Sequence, residues 1–191
     1  MMKLGYRTVL PCVMLALLAA SGFAASPNGN SDWKQTLQDR LALYGHRNWI
    51  VIADSAYPAQ TAPGIETIVS HADQAEVLQQ VLASVSASKS VRPIVYLDKE
   101  LKYVDDKDAP GVSAFRTQLA WILKNQEQHS MLHEQLIAKL GQVSKDFRVL
   151  IIKTNLTIPY TTVFLELRAS YWSDDAERRL RTKMSKQTAG K

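Results

Sequence analysis

A single cysteine in 191 residues sets the first constraint. Cys12 lies in an apolar run near the N-terminus and follows Pro11, where a lipid-attachment cysteine needs a small residue. A lipoprotein anchor is therefore disfavoured. Once that run is removed on export, no cysteine remains, and disulfides, thiolate nucleophiles and cysteine-ligated metals are excluded with it. The signatures of common cofactor enzymes are missing too. The chain contains no G-x-x-x-x-G-K-[ST], no G-x-G-x-x-G, no H-E-x-x-H and no G-x-S-x-G, which disfavours an ATPase, a dinucleotide oxidoreductase, a zincin and an α/β-hydrolase. Only four histidines occur: His46, His71, His129 and His133. None pair at ligand spacing on one helix face, since a helix boundary is expected between His129 and His133, so neither a metal nor another cofactor is expected.

The N-terminus has the layout of a secretory signal. Lys3 and Arg7 precede a mostly apolar run, Val9 to Ala20, and Gly22-Phe23-Ala24 offers small residues for cleavage after Ala24. The run is shorter than the ~20 residues a spanning helix needs. Residues 1–24 are thus read as a signal peptide and 25–31 as a polar linker. The expected location is periplasmic or secreted, with no stable membrane insertion after cleavage. Losing Lys3 and Arg7 takes the formal charge from +5 to +3. Much of the remaining positive charge crowds into Arg178, Arg179, Arg181, Lys183, Lys186 and Lys191. No aromatic residues interleave that tail, so no nucleic-acid partner is expected.

About 165 residues then remain, enough for one domain and too few for two. Trp33, Leu37 and Leu41 recur at four-residue spacing and predict a helix capped by Ser31 or Asp32 and ending at Gly45. Trp49 to Ala53 is an apolar run bounded by turn formers, the pattern of a strand buried on both faces. Ile65 to Val69, Pro93 to Leu97, Phe147 to Ile152 and Tyr160 to Leu167 read as further strands, with Pro93 tolerable only at a strand's beginning. Asp73 and Glu76 form a capping pair before a helix through Val85. Ser113 opens another helix, Leu132 to Leu140 a third closed by Gly141, and Ser173 a last one with a basic end. Asp98 to Asp108 is a charged segment. This alternation predicts an α/β fold, a single domain over 32–172 with a mainly parallel sheet flanked by helices, followed by a C-terminal helix and basic tail over 173–191.

Two separated segments resemble one family in the right order. Tyr44 to Glu66, YGHRNWIVIADSAYPAQTAPGIE, is similar to the N-terminal signature of the D-ribose pyranase and L-fucose mutarotase family, in which GH, an apolar strand ending in Asp, and an aromatic or apolar residue before Pro recur. Lys153 to Leu167, KTNLTIPYTTVFLEL, resembles that family's C-terminal segment. The resemblance implies catalytic roles for His46, Asp54 and Tyr160, with Tyr57 as a wall of the sugar pocket. It also implies sugar contacts from His133, Arg116 and Thr162. It implies a monosaccharide substrate, no cofactor, and a homo-oligomer with sites at subunit interfaces, where the tyrosine of one chain approaches the histidine of its neighbour.

The residue types suit the reaction. Interconverting anomers or ring forms of a reducing sugar needs one proton removed from the anomeric hydroxyl and one delivered to the ring oxygen. An imidazole is apt because histidine's intrinsic pKa of ~6.5 lets it act as acid or base near neutrality. Three features depart from the family pattern: Thr162 where an asparagine is usual, Thr154-Asn155-Leu156 in place of T-G-E, and the export signal. The expected function is an exported sugar mutarotase or pyranase-like isomerase; the alternative is a non-catalytic periplasmic sugar-binding or scaffolding protein.

Overall fold

A computed structural model describes Met1 and residues 33–188. The expected signal peptide beyond Met1, the expected linker and the expected cap at Ser31 or Asp32 lie outside the described residues. The elements are α1 (Trp33–Leu43), β1 (Trp49–Ala53), β2 (Ile65–Val69), α2 (Gln74–Ser88), β3 (Val91–Asp98), a 3-10 turn (Lys99–Tyr103), α3 (Val112–Ile122), β4 (Gln128–Met131), α4 (His133–Val143), β5 (Val149–Lys153), β6 (Val163–Ala169) and α5 (Asp174–Thr188). The six strands form one sheet in the order β2-β5-β1-β6-β3-β4. β6 is antiparallel to both neighbours, and the other strands run the opposite way to it. The expected mainly parallel sheet is therefore present, with one reversed strand near its middle.

Alternation along the strands separates two cores. Ile50 and Ile52 of β1 face α1, α2 and α3 in the larger core. Trp49, Val51 and Ala53 face the other side, where Leu136 and Leu140 of α4 cover Phe164 and Ile151. All five residues of β1 are buried, as its unbroken apolar run predicts for a central strand. Burying each of these larger aliphatic side chains contributes about 1.5–3 kcal/mol. Gly64 lets β2 enter the sheet: a Cβ there would lie 2.1 Å from the Ser144 carbonyl oxygen.

Several boundaries differ from the sequence expectation for identifiable reasons. Asp73 caps α2 as expected, its carboxylate accepting from the Ala75 and Glu76 N–H groups. Ser113 does not cap α3. The cap is Gly111 at φ 91°, and Ser113 instead donates its hydroxyl to Asp106. Gly141 lies inside α4, which runs on to Val143. Pro93 is the third residue of β3, not its first. Val95 donates its N–H to the carbonyl of Glu127, the residue before β4, whose paired residues begin opposite Val95. Two residues earlier Pro93 faces the same way, beyond the end of that ladder, so its missing donor costs nothing. β4 itself, Gln-His-Ser-Met and largely exposed, carries no apolar signal. Tyr160 stands before β6, not within it.

Candidate active site

Reversal of β6 builds the site. Because it runs against its neighbours, its first residues meet the last residues of β1 and β3. Val163 pairs with Ile52 on one side and with Leu97 on the other. One residue further, Thr162 comes beside Ala53 and Asp98. Asp98 in turn pairs with Met131 at the end of β4, two residues before His133. Asp54, Thr162, Asp98 and His133 thus collect at one edge of the sheet from four adjacent strands, in the crevice beyond strand ends where open α/β sheets bind ligands.

Each side chain there has a defined partner. Asp54 Oδ1 accepts from the Ala56 N–H at 2.8 Å, and Oδ2 accepts from the Thr162 hydroxyl at 3.3 Å. Tyr57 is buried, and its phenol accepts from Gln60 Nε2 at 3.3 Å. Burial first, then the charges of Asp98 and Asp54, push that phenol far above the ordinary tyrosine range, so Tyr57 stays protonated. Asp98 has a fully buried side chain and places Oδ1 3.2 Å from His133 Nδ1. Burial pushes its carboxyl up to about 6, against the opposing pull of His133 and with smaller upward contributions from Glu100 and Asp54. The backbone N–H of His133 donates to both carboxylate oxygens of Glu100 at 3.1 Å. Glu100 therefore caps α4, whose N-cap Leu132 offers no polar side chain.

Tyr160 lies edge-on to the His133 ring, with centroids 5.7 Å apart and planes at 83°. Its φ of 58° is in the left-handed region, which costs a bulky residue on the order of 1–3 kcal/mol and persists only where the surroundings impose it. A buried polar chain supplies that constraint. Gln74 Nε2 donates to the Thr161 carbonyl, and Thr154 Oγ1 sits 3.1 Å from Gln74 Oε1 and 3.0 Å from the Ala53 carbonyl oxygen. Thr161 donates its hydroxyl to Ile158 O at 2.7 Å. The loop before β6 is tied to the end of β1 and to α2, and Tyr160 is held over His133.

Between these groups lies a cavity of about 340 Å³ whose walls include Asp54, Tyr57, Pro58, His133, Ile158 and Tyr160. That falls within the ~300–1,000 Å³ of small-molecule pockets. An imidazole, a carboxylate and a phenol border it together. Among the described residues, no three His, Cys, Asp or Glu side chains are grouped to hold a metal ion.

The sequence model of the RbsD / FucU transport protein family matches residues 33–168. The chain belongs to that family. Among solved structures of family members, RbsD of Bacillus subtilis complexed with D-ribose is 22% identical, with a TM-score of 0.47, covering 69% of this chain and 89% of its own. The fucose mutarotase of Streptococcus pneumoniae in complex with L-fucose is 18% identical at TM-score 0.47, covering 69% and 89%. FucU of Bifidobacterium longum is 16% identical at TM-score 0.46, covering 69% and 92%. No match was found among curated proteins. The family match ends before α5.

Not every residue singled out by the family resemblance reaches this edge. His46 precedes β1 and Asp54 follows it, so the strand, about 16 Å long, separates them. His46 borders a second cleft of about 540 Å³ with Arg92, Glu166, Arg168 and Trp172, and within one chain it does not meet Asp54 or Tyr160. Arg116 is also elsewhere. Its guanidinium donates to the Leu101 and Val104 carbonyls at 3.0 and 2.7 Å and to the Ser113 hydroxyl at 2.9 Å, bracing the 3-10 turn. Thr162 is 1% exposed and touches Asp54 but does not line the cavity. For Asp98 the sequence alone leaves pocket and solvent both open, although like Asp54 it is a carboxylate at the end of an apolar strand.

Proposed function

We propose that the chain is an exported isomerase that interconverts anomers or ring forms of a free monosaccharide, with His133, Asp54 and Tyr160 at its centre. The convergence of these three side chains on one cavity, in a member of this family, carries the reading. The reaction asks for proton transfers alone, and each well-placed acid or base contributes about 10²–10⁴ in rate. His133 takes the proton of the anomeric hydroxyl, Tyr160 protonates the ring oxygen, and Asp54 holds a sugar hydroxyl through the carboxylate that Ala56 and Thr162 orient. Tyr57 forms a wall and donates without ionising. His46 serves such a cavity from a neighbouring copy in a homo-oligomer, reaching the Tyr160 of the next chain. Export rests on Lys3, Arg7 and the apolar run after them.

Saturation-transfer NMR of anomer exchange tests the reading, with D-ribose and L-fucose, the ligands named for the solved relatives, and with galactose. Exchange above the buffer rate for one of them supports it. Binding of the sugars with exchange at the buffer rate favours the second reading, a non-catalytic sugar-binding or scaffolding protein. One observation supports that alternative: Thr162, standing where the family commonly has an amide, is buried and gives its hydroxyl to Asp54.

A further inference from the structure

We propose that Asp98 is the positioning residue of His133, a buried carboxylate that fixes the imidazole by Nδ1 and leaves Nε2 to exchange protons with a sugar in the Tyr160 cavity. The catalytic consequence rests on the isomerase reading above, whereas the pairing itself rests on geometry.

The geometry is that of a carboxylate with nothing else to hold. The Asp98 side chain is 0% exposed and the His133 side chain 25% exposed, with Nδ1 and Oδ1 3.2 Å apart. Among the described residues neither oxygen of Asp98 makes a regular hydrogen bond, and neither does Nδ1 of His133. The neighbouring groups are already committed. Glu100 accepts the His133 backbone N–H, Asp54 accepts from Ala56 and Thr162, and the Tyr57 phenol accepts from Gln60. The titratable groups that bear on the Asp98 carboxyl are His133 from α4, Glu100 from the 3-10 turn, and Asp54 and Tyr57 from the loop after β1, while Lys99 and Lys102 of that turn and Arg116 of α3 border a separate cleft with Asp98. No lysine or arginine forms an ion pair with it among the described residues. Capping of α4 falls to Glu100, so Asp98 is not needed for that. An isolated buried carboxylate is costly unless a partner satisfies it. Here that partner is a ring which itself borders the cavity.

Such an arrangement sets the tautomer. With Asp98 accepting from Nδ1–H, the lone pair resides on Nε2. As the bond between C1 and the ring oxygen breaks and the C1 carbonyl forms, the proton of the anomeric hydroxyl moves to Nε2, and the Tyr160 phenol gives its proton to the ring oxygen. Reclosure on the other face of the carbonyl returns both protons. Asp98 stabilises the imidazolium formed in between without being protonated by it, as the third member of a catalytic triad does.

The test uses Asp98→Asn, nearly the same shape but able to donate, together with Asp98→Glu and His133→Gln. The ¹⁵N shifts of the His133 ring, assigned by their loss in His133→Gln, report which nitrogen carries the proton. The expected result is protonation at Nδ1 in the wild type and a changed tautomer balance in Asp98→Asn. Anomer exchange should fall about tenfold to a hundredfold in kcat, with KM within about threefold of the wild type, and Asp98→Glu should recover part of the loss. In the wild type, which needs no variant to fold, the Asp98 carboxyl carbon should titrate near about 6, and in His133→Gln that step should move to higher pH. An unchanged His133 tautomer in Asp98→Asn, or an Asp98 step that ignores His133→Gln, overturns the proposal. If the wild type exchanges no sugar, the isomerase reading fails, and the two NMR results still decide whether the pair exists.

Discussion

The two edges of the sheet treat their charges in opposite ways. At the edge where β1 begins, carboxylates are matched with arginines: Glu66 with Arg40 at 2.6 Å, Glu166 with Arg168 at 2.9 Å, and Glu127 with Arg92 at 3.1 Å. Arg40 holds the Glu66 carboxyl below the usual range, by hydrogen bond first and then by charge, against the opposing pull of burial. At the edge where β1 ends, Asp54, Asp98 and Glu100 form no arginine or lysine ion pair among the described residues. They are held by backbone N–H groups, a hydroxyl and an imidazole. An arginine pair neutralises a carboxylate and fixes its state, whereas the second arrangement leaves acids and bases able to trade protons. The difference separates charges that stabilise the fold from charges available for chemistry.

Variants at the two edges should therefore behave differently. The largest effect is expected for Tyr160→Phe, which removes one hydroxyl and should lower anomer exchange about a hundredfold or more while the circular dichroism spectrum is retained. His46→Ala comes next. A fall of at least about tenfold is expected if, as proposed above, His46 acts on the neighbouring chain's cavity. Mixing His46→Ala with Tyr160→Phe subunits should restore part of the activity, and a mixture no better than its components would leave the two edges functionally unconnected.

Stability gives the third contrast. The Asp98 carboxyl is raised from 3.8 to about 6 in the folded chain. Its contribution to stability is therefore whole below pH ~4 and lost as pH rises through about 6. Asp98→Asn should be more stable than the wild type at pH 8 by roughly 1–2 kcal/mol, since it removes a buried charge, and the gain should shrink at pH 5; urea unfolding at both pH values measures it. Glu66 has the reverse sign, its contribution being present above the unfolded pKa and lost as pH falls through the lowered one. The smallest effect belongs to Arg168→Ala, expected to cost about 0.2–1 kcal/mol in the same assay.

Much of the frame was legible in the sequence because it rests on local rules. The apolar run from Trp49 to Ala53 specified a central strand, and the Asp73 cap specified the start of α2. Where pairing with a distant segment supplies the order, the sequence was silent. Gln128 to Met131 forms a strand only because the edge of β3 offers it partners from Val95 to Asp98. Tyr160 was expected in a strand because apolar β-formers follow it, but Gln74, eighty-six residues earlier in the chain, holds the loop in which it sits. Of the candidate site, Asp54, Tyr57, His133 and Tyr160 were identifiable through the family motifs and do meet. The eight-residue interval from His46 to Asp54 also contained its own warning: a strand of five lies between them. For Asp98 the sequence leaves open whether it faces a pocket or solvent, because a charged segment follows it, and only the register of β4 on β3 brings it to His133.

The central claim is that the edge bearing His133, Asp54 and Tyr160 is where protons are exchanged with a sugar. Saturation transfer between the anomers of D-ribose and of L-fucose, with wild type and His133→Gln at equal concentration, tests it most directly. The account predicts that the wild type accelerates exchange of at least one sugar and that His133→Gln loses about a hundredfold of that acceleration. Equal acceleration by the two proteins would contradict it.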